Sequence, residues 1–297
     1  MQSRRVVLVS LLLILLVIFV IAYPLAVIGI AFDVKPSFAM SWAGSALLFL
    51  EGTLLIVAAM LVYGWLRALL AALIVIVLSY LIEALGVNTG FPFGTYHYTN
   101  LLFPFLPGAF PLAIAFAWIL IVFGSYNLVK RSRSAGRGMG GGSALLGALL
   151  ATLLDLAIEP VAAHVVLYWE WLAPGPANYY GVPLANFVAW FVVALVLLVV
   201  VDSVLGNGRQ IAVETVCEEK RERVARKDGE MGMAMRMAVL TPPVLFGGSL
   251  LMFGLIDLTH GYRWAVVFAL LAGIIIFLLK DRWAALSIRL CMLDSIK

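Results

Sequence analysis

Five carboxylates interrupt otherwise apolar stretches of this chain: Glu51, Glu83, Asp155, Glu159 and Asp257. A charged side chain inside a membrane span costs at least about 2.5–3.5 kcal/mol on insertion scales, so each invites a functional reading. Asp155 and Glu159 stand four residues apart and share one face of a helix. His164 follows about one turn further on, and Pro160 weakens the helix locally. Two carboxyls this close in an apolar bundle repel as like charges, and one is expected to hold its proton at neutral pH. That supplies a general acid without a cofactor. The plainer reading is a structural polar pair satisfied by neighbouring helices.

Helices must position these groups, because composition leaves little else. Apolar residues make up 64% of the 297 and charged residues 12%, with a mean hydropathy of +1.08. Soluble domains carry about 25% charged residues, so a soluble enzyme, a disordered chain and a disulfide scaffold are excluded. A bilayer core needs about 20 apolar residues per helix. Eight runs qualify, near 6–31, 42–63, 68–86, 109–129, 143–166, 185–201, 238–256 and 264–279, the last being short. None alternates like the strand of a membrane barrel. The first run is 26 residues long, beyond the roughly 7–15 of a cleavable signal, and reads as a retained span. The expected fold class is all-α, a polytopic transmembrane bundle of about eight spans.

Eighteen of the 20 Lys and Arg fall in one alternating set of loops and termini, leaving Lys35 and Arg263 on the other side. The positive-inside rule then puts both termini in the cytoplasm, within the cell membrane. On that topology Glu83, Glu159 and Asp257 lie near the outer ends of their spans, and Asp155 and Glu51 nearer the middle. Asn186 opens the sixth span. Five carboxyls converging on one half of the bundle favour chemistry over mere helix pairing. The domain reading is a six-span core at 1–205, a charged cytoplasmic linker at 206–237, and two further spans with a tail at 238–297.

The two outer loops, 87–108 and 167–184, contain no Lys or Arg and are dense in Phe, Tyr, Trp, Pro and Gly. They read as interfacial anchors or as a cap folded over an apolar cleft. Cys217 and Cys291 have no CxxC spacing and are expected as free thiols. His97, His164 and His260 form no metal-binding spacing, although His97 and His164 are placed to face each other. No metal, DDxxD-type diphosphate site, GxSxG elbow, dinucleotide fingerprint or nucleic-acid motif is expected.

Three stretches carry a resemblance: Gly90–Tyr98 (GFPFGTYHY), Asp155–Trp171 (DLAIEPVAAHVVLYWEW) and Tyr179–Trp190 (YYGVPLANFVAW). Together they resemble the membrane-bound carotenoid biosynthesis family that includes the carotenoid 1,2-hydratases and bisanhydrobacterioruberin hydratase. The likeness covers roughly residues 40–205. Glu159 stands before Pro160 where the family often has Asp, and Ala189 where it has Gly. The resemblance implies addition of water to the terminal double bond of an acyclic carotenoid end, giving a tertiary alcohol without a cofactor. Its expected site has a proton donor at Asp155 or Glu159 and a water oriented by Glu83 or His164. Asn186 adds a hydrogen bond, and Tyr96, Tyr98, Trp169, Trp171, Tyr179 and Tyr180 line the end-group pocket. The partners implied are a long-chain carotenoid, water, membrane lipid and other enzymes of carotenoid biosynthesis. Competing readings are an end-group cyclase, which starts with the same protonation, and a transporter or carotenoid-binding protein without catalysis.

Overall fold

The computed structural model describes residues 2–34, 37, 40–130, 139–173, 175–206 and 229–292. Most of the 206–237 linker, the centre of the basic 130–142 loop, Lys35, Cys217 and the Cys291 side chain lie outside this description. Eight helices follow in order: α1 (Gln2–Ala31), α2 (Ala43–Tyr63), α3 (Trp65–Thr89), α4 (Leu112–Val129), α5 (Gly141–Pro160), α6 (Leu184–Leu205), α7 (Gly229–His260) and α8 (Arg263–Met292). Among the described residues seven are long and apolar enough to cross a membrane, and Arg263–Leu279 is a shorter apolar helix. The protein is a multi-pass helical membrane protein. Helices prevail because lipid offers backbone N–H and C=O groups no partner, so each segment must satisfy its own. α7 begins before the apolar run at 238–256, and α8 continues beyond 279.

The helices differ in how far they are enclosed. α4 is 78% buried over its most apolar stretch and α1 only 11%, so α4 is the central post and α1 a lipid-facing flank. α4 packs against α2, α3, α5 and α7, and α5 packs against α6 and α8. Without a hydrophobic drive between helices in lipid, small residues set the closest approaches. A Cβ at Gly52 would come within 2.7 Å of Phe116, and one at Gly124 within 2.7 Å of Phe246. Each glycine is a socket for an aromatic ring from the facing helix.

Two polar clusters lock α4 to its neighbours at opposite ends. Near the C-terminus of α4, Lys130 meets Asp202 of α6 at 3.4 Å, and the Tyr126 hydroxyl donates to the same carboxylate at 2.9 Å. The candidate site lies at the other end, where the interhelical loops add three antiparallel strand pairs to the all-helical expectation. These are β1 (Tyr96–Tyr98) with β4 (Trp169–Trp171), β2 (Phe105–Leu106) with β3 (Phe110–Pro111), and β5 (Asn178–Tyr179) with β6 (Val182–Pro183).

Candidate active site

The site is built where α5 ends. Pro160 has no N–H, so it cannot donate to the Leu156 carbonyl four residues back. The Tyr179 hydroxyl donates to that carbonyl instead, at 3.0 Å. Directly after Pro160 the chain widens into a π-helical turn, Val161–Val165, closed by Val166 N–H donating to Val161 C=O at 2.9 Å. Such turns are often found at functional sites. The turn leads into β4.

β1 and β4 join the two aromatic loops, with Tyr96 opposite Trp171, His97 opposite Glu170 and Tyr98 opposite Trp169. Side chains alternate across a strand. In both strands the middle residue is exposed and the aromatic pair turns toward the bundle. His97 Nε2 lies 3.4 Å from Glu170 Oε2 on the outer face. His97 therefore faces Glu170, and the expected pairing with His164 does not occur.

Beneath this ribbon is a cavity of about 50 Å³. Its polar groups come from three helices: Glu83 of α3, Asp155 and Glu159 of α5, and Asn186 of α6. All four are buried. Its walls are Phe93, Tyr96, Tyr98, Trp118, Trp169, Trp171 and Trp190, with Ile114, Ala117, Ile121 and Ile158. Trp118 and Trp190 stack in parallel, centroids 3.9 Å apart and planes within 6°.

Each carboxyl has a distinct set of donors. Glu83 accepts three hydrogen bonds: from the Tyr96 hydroxyl at 2.5 Å, the Tyr98 hydroxyl at 2.8 Å and Trp118 Nε1 at 3.0 Å. Burial first, then the Glu83 charge beside them, pushes both tyrosine hydroxyls well above the ordinary phenol range, so they remain donors. Glu159 also accepts three: from Trp169 Nε1 at 3.0 Å, Trp171 Nε1 at 3.1 Å and Asn186 Nδ2 at 3.1 Å. Asp155 accepts one, from the same Asn186 nitrogen at 3.3 Å. One amide thus spends its two N–H groups on two carboxyls and spaces them. Glu83 and Glu159 each have three of about four acceptor sites engaged; Asp155 retains the most capacity for a proton or a bound molecule.

Eight residues singled out from the sequence meet here: Asp155, Glu159, Glu83, Asn186, Tyr96, Tyr98, Trp169 and Trp171. His164 does not. It is exposed, with Nε2 2.7 Å from the Tyr180 carbonyl oxygen. Its spacing of five from Glu159 is not a same-face spacing. Tyr179 and Tyr180 also stand outside the cavity wall, Tyr179 behind α5 on the Leu156 carbonyl and Tyr180 against Tyr262. Of the five carboxylates, Glu51 and Asp257 do not line the cavity. Trp118 and Trp190 complete the cavity wall without a signal in the sequence that assigns them to it. Nothing in an apolar span such as α4 marks one tryptophan as a wall of the site. Among the described residues no group of His, Cys, Asp and Glu is arranged to hold a metal ion.

Gly94 fixes how closely the chain entering the ribbon sits on β6. Its φ is +118°, and a Cβ there would lie 2.9 Å from Pro183 and 3.2 Å from the Trp171 ring. Gly94→Ala should cost roughly 1–3 kcal/mol through the backbone conformation alone. A lowered unfolding midpoint in detergent, with altered tryptophan fluorescence, is the expected result.

The family model described as carotenoid biosynthesis protein matches residues 43–276, which takes in the whole cavity. The chain belongs to that family. Bisanhydrobacterioruberin hydratase of Haloarcula japonica is 32% identical over 138 residues, 46% of this chain. The match spans 45% of that relative's length. No solved structure matches the chain.

Proposed function

We propose that this family member hydrates the terminal double bond of an acyclic carotenoid end group by acid catalysis. The observation that carries the reading is the unequal donor supply to three carboxyls around one aromatic cavity. Asp155, with a single donor, is the acid. It gives its proton to the less substituted alkene carbon, and a tertiary carbocation forms on the neighbouring carbon. The faces of the surrounding tryptophans stabilise that charge. Water attacks the cation, the carbon–oxygen bond forms, and the water's surplus proton passes to a carboxylate. Glu83, opposite and held by Tyr96 and Tyr98, positions that water and receives the proton. Glu159 holds Trp169 and Trp171 in place and, through Asn186, Asp155. The proton then returns from Glu83 to Asp155 through the cavity they share, which resets the acid, so water adds as a proton and a hydroxyl with no net redox change. His164 has no part in this scheme because it faces away.

The cavity suits only the tip of a long substrate. About 50 Å³ holds a few water molecules. The rest of a polyene would lie along the bundle, whose hydrocarbon depth of about 30 Å is comparable to a carotenoid. The charge bias supports an arrangement in the cell membrane with both termini cytoplasmic and the cavity near the outer surface. The relative's printed name, a hydratase, supports the same reaction class.

The test is pigment analysis after expression in a host that makes acyclic carotenoids. The expected product has gained one water per modified end. Unchanged mass with shifted absorption would establish the cyclase reading. Unchanged pigment, with the protein inserted, would leave a binding protein.

A further inference from the structure

Asp257 is a buried carboxyl that this chemistry does not use. It is 0% exposed, and neither carboxyl oxygen has a hydrogen-bond partner in the protein. Buried polar groups that the protein leaves unserved are ordinarily served by bound water. α7 ends at His260, so Asp257 lies within its last turn, as Glu159 lies within the last turn of α5.

Its surroundings lead in two directions. Outward, the N–H of half-buried Tyr262 donates to the Asp257 carbonyl at 2.8 Å, and its ring lies 6.2 Å from that of the exposed His164. Inward, the Tyr262 ring packs on Tyr180 at 5.1 Å and Tyr180 on Tyr179 at 4.6 Å, and the Tyr179 hydroxyl donates to the Leu156 carbonyl, one residue after Asp155. The direct way into the cavity is covered by the aromatic residues of β1 and β4. The geometry points to Asp257 as a water-binding site on an access path from the surface at His164 and Tyr262, past Tyr179, to the catalytic cavity.

This inference rests on the hydration reading, in which water is the second substrate. When water arrives, its oxygen bonds to the cation and its surplus proton passes to a carboxylate. When it does not, the cation returns a proton from an adjacent carbon to the Asp155 carboxylate, and an alkene re-forms. Starved of water, the enzyme should exchange hydrogen without hydrating.

The experiment uses the full chain in membranes equilibrated with D2O and supplied with an acyclic carotenoid. Asp257→Asn keeps a water-binding group and should hydrate near the wild-type rate. Asp257→Leu should lower hydration by about tenfold, while recovered substrate gains deuterium at its end group. Access is read separately. With both native cysteines replaced by Ser, Asp257→Cys should react with a small water-soluble thiol reagent, and Ile256→Cys, equally buried, should not. Wild-type hydration by Asp257→Leu would overturn the inference, as would an Asp257→Cys no more reactive than Ile256→Cys. A wild-type protein that yields no hydrated pigment overturns the hydration reading itself. The cysteine pair then decides whether the water site exists.

Discussion

Asp155→Asn should abolish most hydration, by about 10²–10⁴-fold, while the protein still inserts and folds. The substitution preserves size and leaves an amide oxygen to accept from Asn186, now 3.3 Å from the Asp155 carboxyl. What it removes is the transferable proton. Glu159→Gln is the informative contrast. Its side chain accepts from two indoles and Asn186, so an amide nitrogen there would confront donors with a donor. That variant should disturb the seating of Trp169 and Trp171 as well as the rate, and change tryptophan fluorescence. Asp155→Asn should change the rate and leave the fluorescence as it is. Pigment mass spectra with matched membrane protein levels read both. An Asp155→Asn protein that hydrates at the wild-type rate would remove Asp155 as the acid.

The largest effect on stability should come from Glu83→Leu. Glu83 is the shared acceptor of Tyr96, Tyr98 and Trp118, which come from the ribbon and from α4. Leucine fills comparable space but leaves three buried donors without an acceptor. Each such donor costs roughly 1–3 kcal/mol, so the loss should reach several kcal/mol and much of the domain's stability. Tyr98→Phe removes one donor and should cost about 0.5–1.5 kcal/mol. Thermal unfolding in detergent would show a large drop for the first and a small one for the second. Equal, small drops would mean that Glu83 does not join the ribbon to the bundle.

Asp155 and Glu159 were readable as a pair because helical periodicity alone puts positions four apart on one face. The alternation in Tyr96–Tyr98 and Trp169–Trp171 is visible as letters, yet their pairing joins segments separated by two whole helices. Charge placement in spans marked five carboxylates but could not rank them. Depth follows from counting along a helix, whereas the direction a carboxyl faces follows from how that helix is rotated against its neighbours. That rotation separates Glu83, at the cavity, from Glu51 and Asp257, which are equally costly to bury and stand elsewhere.

By itself the sequence determined that this is a membrane protein of apolar helices, that Asp155 and Glu159 share one helix face, and that two aromatic loops flank them. These follow from local quantities: run length, spacing and composition. Tertiary structure alone decided that Asn186 bridges two carboxyls, that Trp118 and Trp190 stack as a wall, and that His164 turns toward Tyr180. Each of those depends on contacts between segments far apart in the chain. Their geometry is set when small residues let particular helices approach, and no local pattern encodes it.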